Sequence, residues 1–274
     1  MYYRAAGFGS IWDDIGDAVV DTIPKVVGGD PEPNPKVVQF QPEQQNTVGA
    51  FLSGSAVTCT GTVIAPRVVL SAAHCSVVGR GTRFVLGPDA ALPIASATVL
   101  AVARHPGFRA GSSGSDYLLA YLDRDLPVLP LGVGGPPSVG EVVQTVGYGR
   151  TAAATSGNTT RLWLSEQVRE VGPDTFAVFS SGQHGMCMGD SGGPVLRMEA
   201  DQPVVVGILS WGDRDCTGTD VFQRPDVVQD WIRATIENWK TSPPTPQRAG
   251  LGWVLGLLLA GMGVGLIVAG RKVT

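Results

Sequence analysis

Two short motifs in this sequence contain residue types that can break a bond through an activated serine. His74 lies in the segment Ser-Ala-Ala-His-Cys at 71–75, and Ser191 lies in Gly-Asp-Ser-Gly-Gly-Pro at 189–194. A serine hydroxyl is a weak nucleophile at neutral pH, so it needs a neighbouring base that accepts its proton. Histidine suits that role because its pKa lies near neutral pH, and a carboxylate can orient and stabilise its ring. The motifs therefore indicate nucleophilic catalysis if folding brings them together with an acid.

These two motifs resemble the signatures of the trypsin-like serine peptidases, and they stand in that family's order. The resemblance extends from Val26 to about Lys240. It implies that Ser191 is the nucleophile and His74 the general base and acid of a serine endopeptidase that forms an acyl-enzyme. The alternative is an inactive relative that serves as a membrane-tethered binding module. A probe that reacts only with an activated serine would separate the two.

The same resemblance selects the acid from among several aspartates. Asp116 opens the segment Asp-Tyr-Leu-Leu-Ala-Tyr-Leu, which resembles the family's Asp-Ile-Ala-Leu-Leu-x-Leu. Upstream, His-Pro-Gly-Phe at 105–108 resembles the His-Pro-x-Tyr/Phe segment that precedes this aspartate in the family. We therefore expect Asp116 to complete the triad, and His105 and His184 to be loop residues without a catalytic role.

Other site residues are implied by the resemblance in the same way. The backbone N–H groups of Gly189 and Ser191 would form an oxyanion hole, in which fixed donors stabilise the developing negative charge. The segment Ser210-Trp211-Gly212 would pair with an extended substrate. Ser210 would also donate a hydrogen bond to the acid of the triad.

An activation junction is expected near the N-terminus. The segment Val26-Val27-Gly28-Gly29 resembles the mature N-terminus of the family, and Lys25 before it is typical of a trypsin-type cleavage point. Cleavage there would free the α-amino group of Val26, which would pair with Asp190 and order the site. Residues 1–25 are then a pro-segment, the full chain is a zymogen, and an activating protease is an implied partner.

The substrate pocket departs from the trypsin pattern. Trypsins carry Asp six residues before the catalytic serine, where this chain has Gly185. Asp220 instead stands where the family usually has Gly before Val-Tyr, which would place a carboxylate in the pocket wall. That carboxylate could hold a Lys or Arg side chain of the substrate. The alternative is a carboxylate satisfied internally, with a pocket for apolar residues of medium size as in elastase-like members.

Hydropathy patterns outline the elements that must position these residues. From Val26 to about Pro225, short β-rich runs such as Val63–Leu70 alternate with Gly, Pro, Asp and Ser, which is typical of all-β architecture. The family resemblance implies two six-stranded antiparallel β-barrels, at about 26–130 and 131–226. Helical spacing of apolar residues predicts a C-terminal helix over 227–240.

Four cysteines at wide spacing indicate two disulfides and an oxidising compartment, although spacing alone leaves three pairings open. The family resemblance implies Cys59–Cys75 and Cys187–Cys216. No Cys-x-x-Cys pair occurs and there are only three histidines, so we expect no metal and no cofactor. A net charge of -4 without basic runs argues against a nucleic-acid partner and leaves a protein or peptide substrate.

The C-terminal region predicts attachment to a membrane. Residues 241–248 form a Pro-rich linker, and 249–270 carry no charge and are rich in Leu, Val and Gly. About 20 such residues can cross the hydrocarbon layer as a helix, with the basic end 271–274 in the cytoplasm and the peptidase domain outside, at the cell surface or in the periplasm. A bacterial C-terminal sorting segment that is removed is the alternative. The N-terminus shows no basic and apolar leader, so the export route stays open.

Overall fold

The computed structural model describes residues 29–111, 114–151, 157–179, 184–213 and 216–246. The predicted pro-segment, Lys25 and Val26 lie outside the described residues, as do the predicted membrane segment at 249–270 and the basic end. Within the described ranges, none of the helices has both the length and the apolar character that a membrane crossing requires.

The first half of the described chain closes into a six-stranded antiparallel barrel with the order β1-β2-β3-β6-β5-β4. Its strands are β1 Val48–Ser53, β2 Ala56–Ala65, β3 Val68–Ser71, β4 Arg83–Leu86, β5 Ala95–Arg104 and β6 Leu118–Leu122. All five residues of β6 are buried, because this strand lies in the wall of the closed barrel beside β3 and β5. Asp116 stands two residues before β6, so burial of the strand fixes the position of this acid.

The second half forms another antiparallel barrel and one additional short strand. Its strands are β7 Gly132–Val133, β8 Val142–Gly147, β9 Leu162–Val171, β10 Thr175–Phe179, β11 Pro194–Glu199, β12 Gln202–Gly212 and β13 Thr219–Gln223. The order is β11-β8-β9-β10-β13-β12-β7, and pairing of β11 with β12 closes a ring of six. β7 lies outside the ring and pairs with β12 in parallel. The expected pair of six-stranded barrels is thus confirmed.

One predicted β-rich run is two strands in the structure. The run Val63–Leu70 belongs to the end of β2 and to β3, which form a hairpin at Pro66 and Arg67. Proline has no N–H group for a strand ladder, and Arg67 adopts a φ of 64°, which reverses the chain. Because apolar residues stand on both sides of the turn, the hydropathy pattern did not predict it.

The C-terminal helix is present, with a different beginning. A 3-10 turn at Pro225–Val228 precedes α1 at Gln229–Thr241, whereas the periodicity predicted one helix over 227–240. Trp239 of α1 is buried, and its ring lies 5.4 Å from that of Tyr121 in β6. The helix therefore packs on the first barrel, although it follows the second in sequence.

Helix α1 also changes the setting of His105, which the sequence predicted as a surface loop residue. The His105 ring lies 5.1 Å from the Trp231 ring of α1 and 5.9 Å from the Tyr117 ring. The side chain is half-buried, and desolvation by burial lowers its pKa. His105 therefore anchors the helix and lies outside the hydrogen bonds of the predicted triad.

Candidate active site

The loop after β3, the segment before β6 and the strand β12 bring His74, Asp116 and Ser210 together. Asp116 Oδ2 lies 2.6 Å from His74 Nδ1 and accepts a hydrogen bond from Ser210 Oγ at 2.7 Å. Asp116 Oδ1 accepts a hydrogen bond from the backbone N–H of His74 at 2.8 Å. The residue Asp116 is only 2% exposed, so these donors rather than water stabilise the charge of its carboxylate.

The electrostatics of this cluster favour an ionised carboxylate. Desolvation by burial acts to raise the pKa of Asp116. Hydrogen bonds from His74 and Ser210, together with the charge of His74 when its ring is protonated, outweigh this effect and hold the pKa of Asp116 below its usual value. An ionised carboxylate can only accept hydrogen bonds, so we assign the proton of the imidazole to Nδ1. This tautomer leaves Nε2 of His74 as an acceptor.

The position of His74 follows from the segment around it. Ser71 ends β3, and its Oγ donates a 2.7 Å hydrogen bond to the carbonyl of Thr60 in β2. Ala72 and Ala73 are buried, and Cys75 forms a disulfide with Cys59 of β2. The turn that carries the imidazole is therefore attached to β2 on both sides of His74.

Ser191 lies against the same part of β2. Its carbonyl accepts a 2.9 Å hydrogen bond from the backbone N–H of Thr60 and lies 3.7 Å from Cys75 Sγ. Gly192 follows with a φ of 79°, and a Cβ there would overlap Ser71 Oγ. Only glycine fits this close approach of the two barrels, which brings the serine motif beside the histidine motif.

The turn before Ser191 is held by a buried carboxylate. Asp190 is 0% exposed, its Oδ1 accepts a hydrogen bond from Gly149 N at 2.6 Å, and its Oδ2 accepts one from Cys187 N at 2.8 Å. Desolvation by burial raises the pKa of Asp190 to about 6, although these two hydrogen bonds act to lower it. Gly189 has a φ of 104°, so the turn presents its backbone in a conformation that other residues rarely adopt.

Gly185 and Asp220, which the resemblance implied for the base and the wall of a substrate pocket, lie close together. Asp220 of β13 pairs with Gly212 of β12, and a Cβ at Gly212 would overlap Asp220 Oδ1. Asp220 Oδ2 accepts a 2.8 Å hydrogen bond from Met186 N and would lie 3.3 Å from a Cβ at Gly185. Desolvation by burial raises the pKa of Asp220 to about 8, and the charges of Glu166, Asp190 and Asp213 act in the same direction.

Both disulfides implied by the resemblance are formed. Cys59 pairs with Cys75 next to His74, and Cys187 pairs with Cys216, whose carbonyl lies close to Gly185. In the segment Ser210-Trp211-Gly212, Trp211 is 49% exposed and Ser210 donates a hydrogen bond to Asp116. In the part of the chain that the structure describes, no group of His, Cys, Asp or Glu side chains is arranged to hold a metal ion.

The comparisons with known proteins agree with this architecture. The family model described as Trypsin matches residues 35–232. The chain belongs to the trypsin family. Beta-fibrinogenase of Macrovipera lebetinus is 31% identical, with 72% of this chain and 84% of that protein covered. Chymase of Papio hamadryas is 28% identical, with 68% and 81% covered.

A solved structure shares the fold of this trypsin-family chain. Neuropsin, a serine protease expressed in the limbic system of mouse brain, matches with a TM-score of 0.63 at 22% identity. The match covers 72% of this chain and 97% of neuropsin. At this identity the likeness shows the fold alone. Both named relatives are proteases, so this trypsin-family member is similar to hydrolases that act on proteins or peptides.

Two residues that support the site of this trypsin-family member escaped the sequence reasoning. Thr60 Oγ1 donates a 2.9 Å hydrogen bond to Gly189 O and accepts one from Tyr148 N at 3.2 Å. The side-chain oxygen Oε1 of Gln223 accepts a 3.4 Å bond from Asp116 N. Both residues are 0% exposed. The only sequence signal was a polar residue inside an apolar strand, which does not identify its partner.

Proposed function

We propose that this protein is a serine endopeptidase that cleaves peptide bonds through Ser191, His74 and Asp116. The observation that carries the proposal is the Asp116 carboxylate, which is buried and accepts hydrogen bonds from the ring and backbone of His74 and from Ser210. A histidine oriented in this way presents Nε2 as a base. The serine motif beside it supplies the hydroxyl that such a base activates.

The proposed reaction proceeds in two halves. Ser191 Oγ attacks the substrate carbonyl while His74 Nε2 takes the hydroxyl proton, and the backbone N–H groups of Gly189 and Ser191 bind the oxyanion. The intermediate collapses to an acyl-enzyme as His74 gives the proton to the leaving amine. Water then attacks the acyl-enzyme, His74 takes one of its protons, and a second collapse releases the acid and restores the Ser191 hydroxyl.

For the substrate pocket we propose a preference for Lys or Arg. Asp220 is buried, and Gly185 and Gly212 place backbone without side chains against two sides of its carboxylate. A cation that enters the pocket favours the ionised form of Asp220 and forms charge-assisted hydrogen bonds with it. The bond from Met186 N also supports the other candidate, an internally satisfied carboxylate with a pocket for apolar residues of medium size. Rates with Arg, Val and Phe peptide substrates distinguish them.

Activation is proposed to require cleavage after Lys25. Within the described residues, Asp190 is fully buried and is held by the neutral N–H groups of Gly149 and Cys187. A buried carboxylate is costly unless a charge compensates it, and the α-amino group of Val26 would supply that charge. Lys25→Gln should leave a folded chain that stays inactive after trypsin treatment. Full activity of that variant would refute the activation model.

We further propose that residues 249–270 anchor the protein in a membrane with the peptidase domain outside the cytoplasm. The support is the uncharged composition of this segment and the Pro-rich linker before it. Detergent-dependent extraction and an intact C-terminus by mass measurement are expected. A mature chain that ends before residue 249 would favour the removable sorting segment instead.

The direct test of the peptidase is covalent labelling by a fluorophosphonate, which reacts with an activated serine. The full chain, cleaved after Lys25, should incorporate one label and hydrolyse a peptide substrate, whereas Ser191→Ala should do neither. Ser53→Ala, at an exposed position at the end of β1, is the matched control and should keep both activities. A folded, cleaved chain that takes no label would favour the inactive binding module.

A further inference from the structure

A pocket of about 340 Å³ lies between the segment 32–46 and the beginning of β9. Its apolar lining consists of Pro33, Pro35, Val38, Phe40, Pro88 and Trp163. The pocket contains none of the residues assigned above to the active site. Its volume is in the range of pockets that hold small molecules.

The buried charged group in its wall is Arg161. This residue is 6% exposed, and its Nη1 donates a long hydrogen bond of 3.4 Å to the carbonyl of Val48. The guanidinium carbon lies 5.3 Å from the centre of the Trp163 ring. Among the described residues, no carboxylate forms an ion pair with Arg161. The neighbouring Asp89 uses its Oδ1 to accept a bond from Ala91 N at 2.9 Å.

Two buried donors in the same wall lack acceptors within the described part of the chain. Arg161 Nε and Trp163 Nε1 are covered by neighbouring atoms, and no described residue accepts a hydrogen bond from either of them. Nearly all buried polar groups in folded proteins are hydrogen-bonded, and a buried charge without a partner is more costly still. The Arg161 guanidinium has neutral partners, the Val48 carbonyl and the Tyr148 hydroxyl, but no carboxylate among the described residues. A wall with this uncompensated cation and the unsatisfied indole N–H of Trp163 therefore favours a ligand that carries a negative charge and acceptor oxygens.

The remaining lining determines the rest of the ligand. Proline rings and the Phe40 and Trp163 side chains form flat apolar surfaces, whereas Glu32 is exposed. A carboxylate would be repelled by Glu32 and attracted by Arg161, so its charged end would face the buried side. We propose that this pocket binds a small aromatic carboxylate, whose ring lies against the prolines and whose carboxylate compensates Arg161. Guanidinium and carboxylate match in both charge and shape.

The test uses the full chain with 3-phenylpropionate as the probe and its neutral amide, 3-phenylpropanamide, as the matched control ligand. The carboxylate should bind in calorimetry and raise the Tm, because a ligand of the folded state stabilises it. The amide should bind at least about tenfold more weakly, because it cannot compensate a buried charge. In the wild-type chain the carboxylate should also shift the NMR signal of the Trp163 indole N–H.

Arg161→Met removes the charge and keeps most of the volume. We expect this variant to lose binding of 3-phenylpropionate and to have an unliganded Tm equal to or above that of the wild type, since a buried unpaired charge is gone. Arg169→Met, at an exposed position in β9, should bind like the wild type. Equal binding of acid and amide, unchanged binding by Arg161→Met, or an unmoved indole signal at saturating carboxylate would overturn the proposal. The readouts need no peptidase activity.

Discussion

Asp116 binds both the main chain and the ring of His74. Its Oδ1 accepts a hydrogen bond from the backbone N–H of His74 at 2.8 Å, and its Oδ2 lies 2.6 Å from the ring nitrogen Nδ1. The carboxylate therefore determines the position of the histidine main chain and the orientation of its ring. Because the two residues are 42 positions apart in the chain, this contact exists only in the closed first barrel.

Asp116→Asn should lower kcat by about 10⁴ with little change in KM, because an amide N–H facing Nδ1 favours the wrong tautomer of His74. The variant should fold, because asparagine has the shape of aspartate. Steady-state kinetics and circular dichroism would check this. Asp125→Asn, at an exposed carboxylate, is the matched control and should keep wild-type activity. An Asp116→Asn variant with a kcat within tenfold of the wild type would exclude the triad role.

The pocket preference should depend on pH through Asp220. Burial raises its pKa to about 8, so the carboxylate of the free enzyme ionises mainly between pH 7 and 9. The kcat/KM for an Arg substrate, divided by that for a Val substrate, should therefore rise over this interval. Asp220→Asn should abolish the rise, because it has no charge to gain. A ratio that stays constant with pH in the wild type would contradict the role of Asp220.

The stability of the fold should also depend on this group. In the unfolded chain the Asp220 carboxyl titrates near 3.8, whereas in the folded protein its pKa is about 8. Between these values the folded state binds more protons, so its contribution to stability is largest below pH 4 and is lost as pH rises to 8. Urea denaturation at pH 5, 6, 7 and 8 measures how the free energy of unfolding changes with pH. This free energy should decrease less with rising pH in Asp220→Asn than in the wild type. Identical pH slopes would disprove the linkage.

Thr60 should contribute to both stability and activity. Its hydroxyl links Gly189 O and Tyr148 N in a buried position, so Thr60→Val leaves both backbone groups without that partner. We expect a loss of about 1–3 kcal/mol in the free energy of unfolding, together with a lower kcat because Gly189 would supply an oxyanion donor. Thr58→Val, on the same strand but half-buried, should cost less. Equal losses for the two variants would show that Thr60 has no special function.

Local residue order was sufficient to recognise several features of this protein. The motifs around His74 and Ser191 indicated the family, and the resemblance of the segment that begins at Asp116 to the family's Asp-Ile-Ala-Leu-Leu-x-Leu led to the prediction of that aspartate as the acid. Helical spacing predicted α1 to within two residues of its observed ends. These features are readable because each depends on a short stretch of chain whose residue types or periodicity are specific.

Other features were decided by tertiary structure alone. The hydrogen bonds of Thr60 and Gln223 join segments that are remote in sequence. The burial of Asp220 and of Arg161 likewise depends on segments that are remote from them in sequence. The sequence pattern did not predict the hairpin at Pro66, because apolar residues stand on both sides of it. It also did not predict that α1 packs on the first barrel, because this helix follows the second barrel in sequence. Hydrogen-bond partners and desolvation depend on which distant strands become neighbours. The order of residues along a single strand does not determine those neighbours.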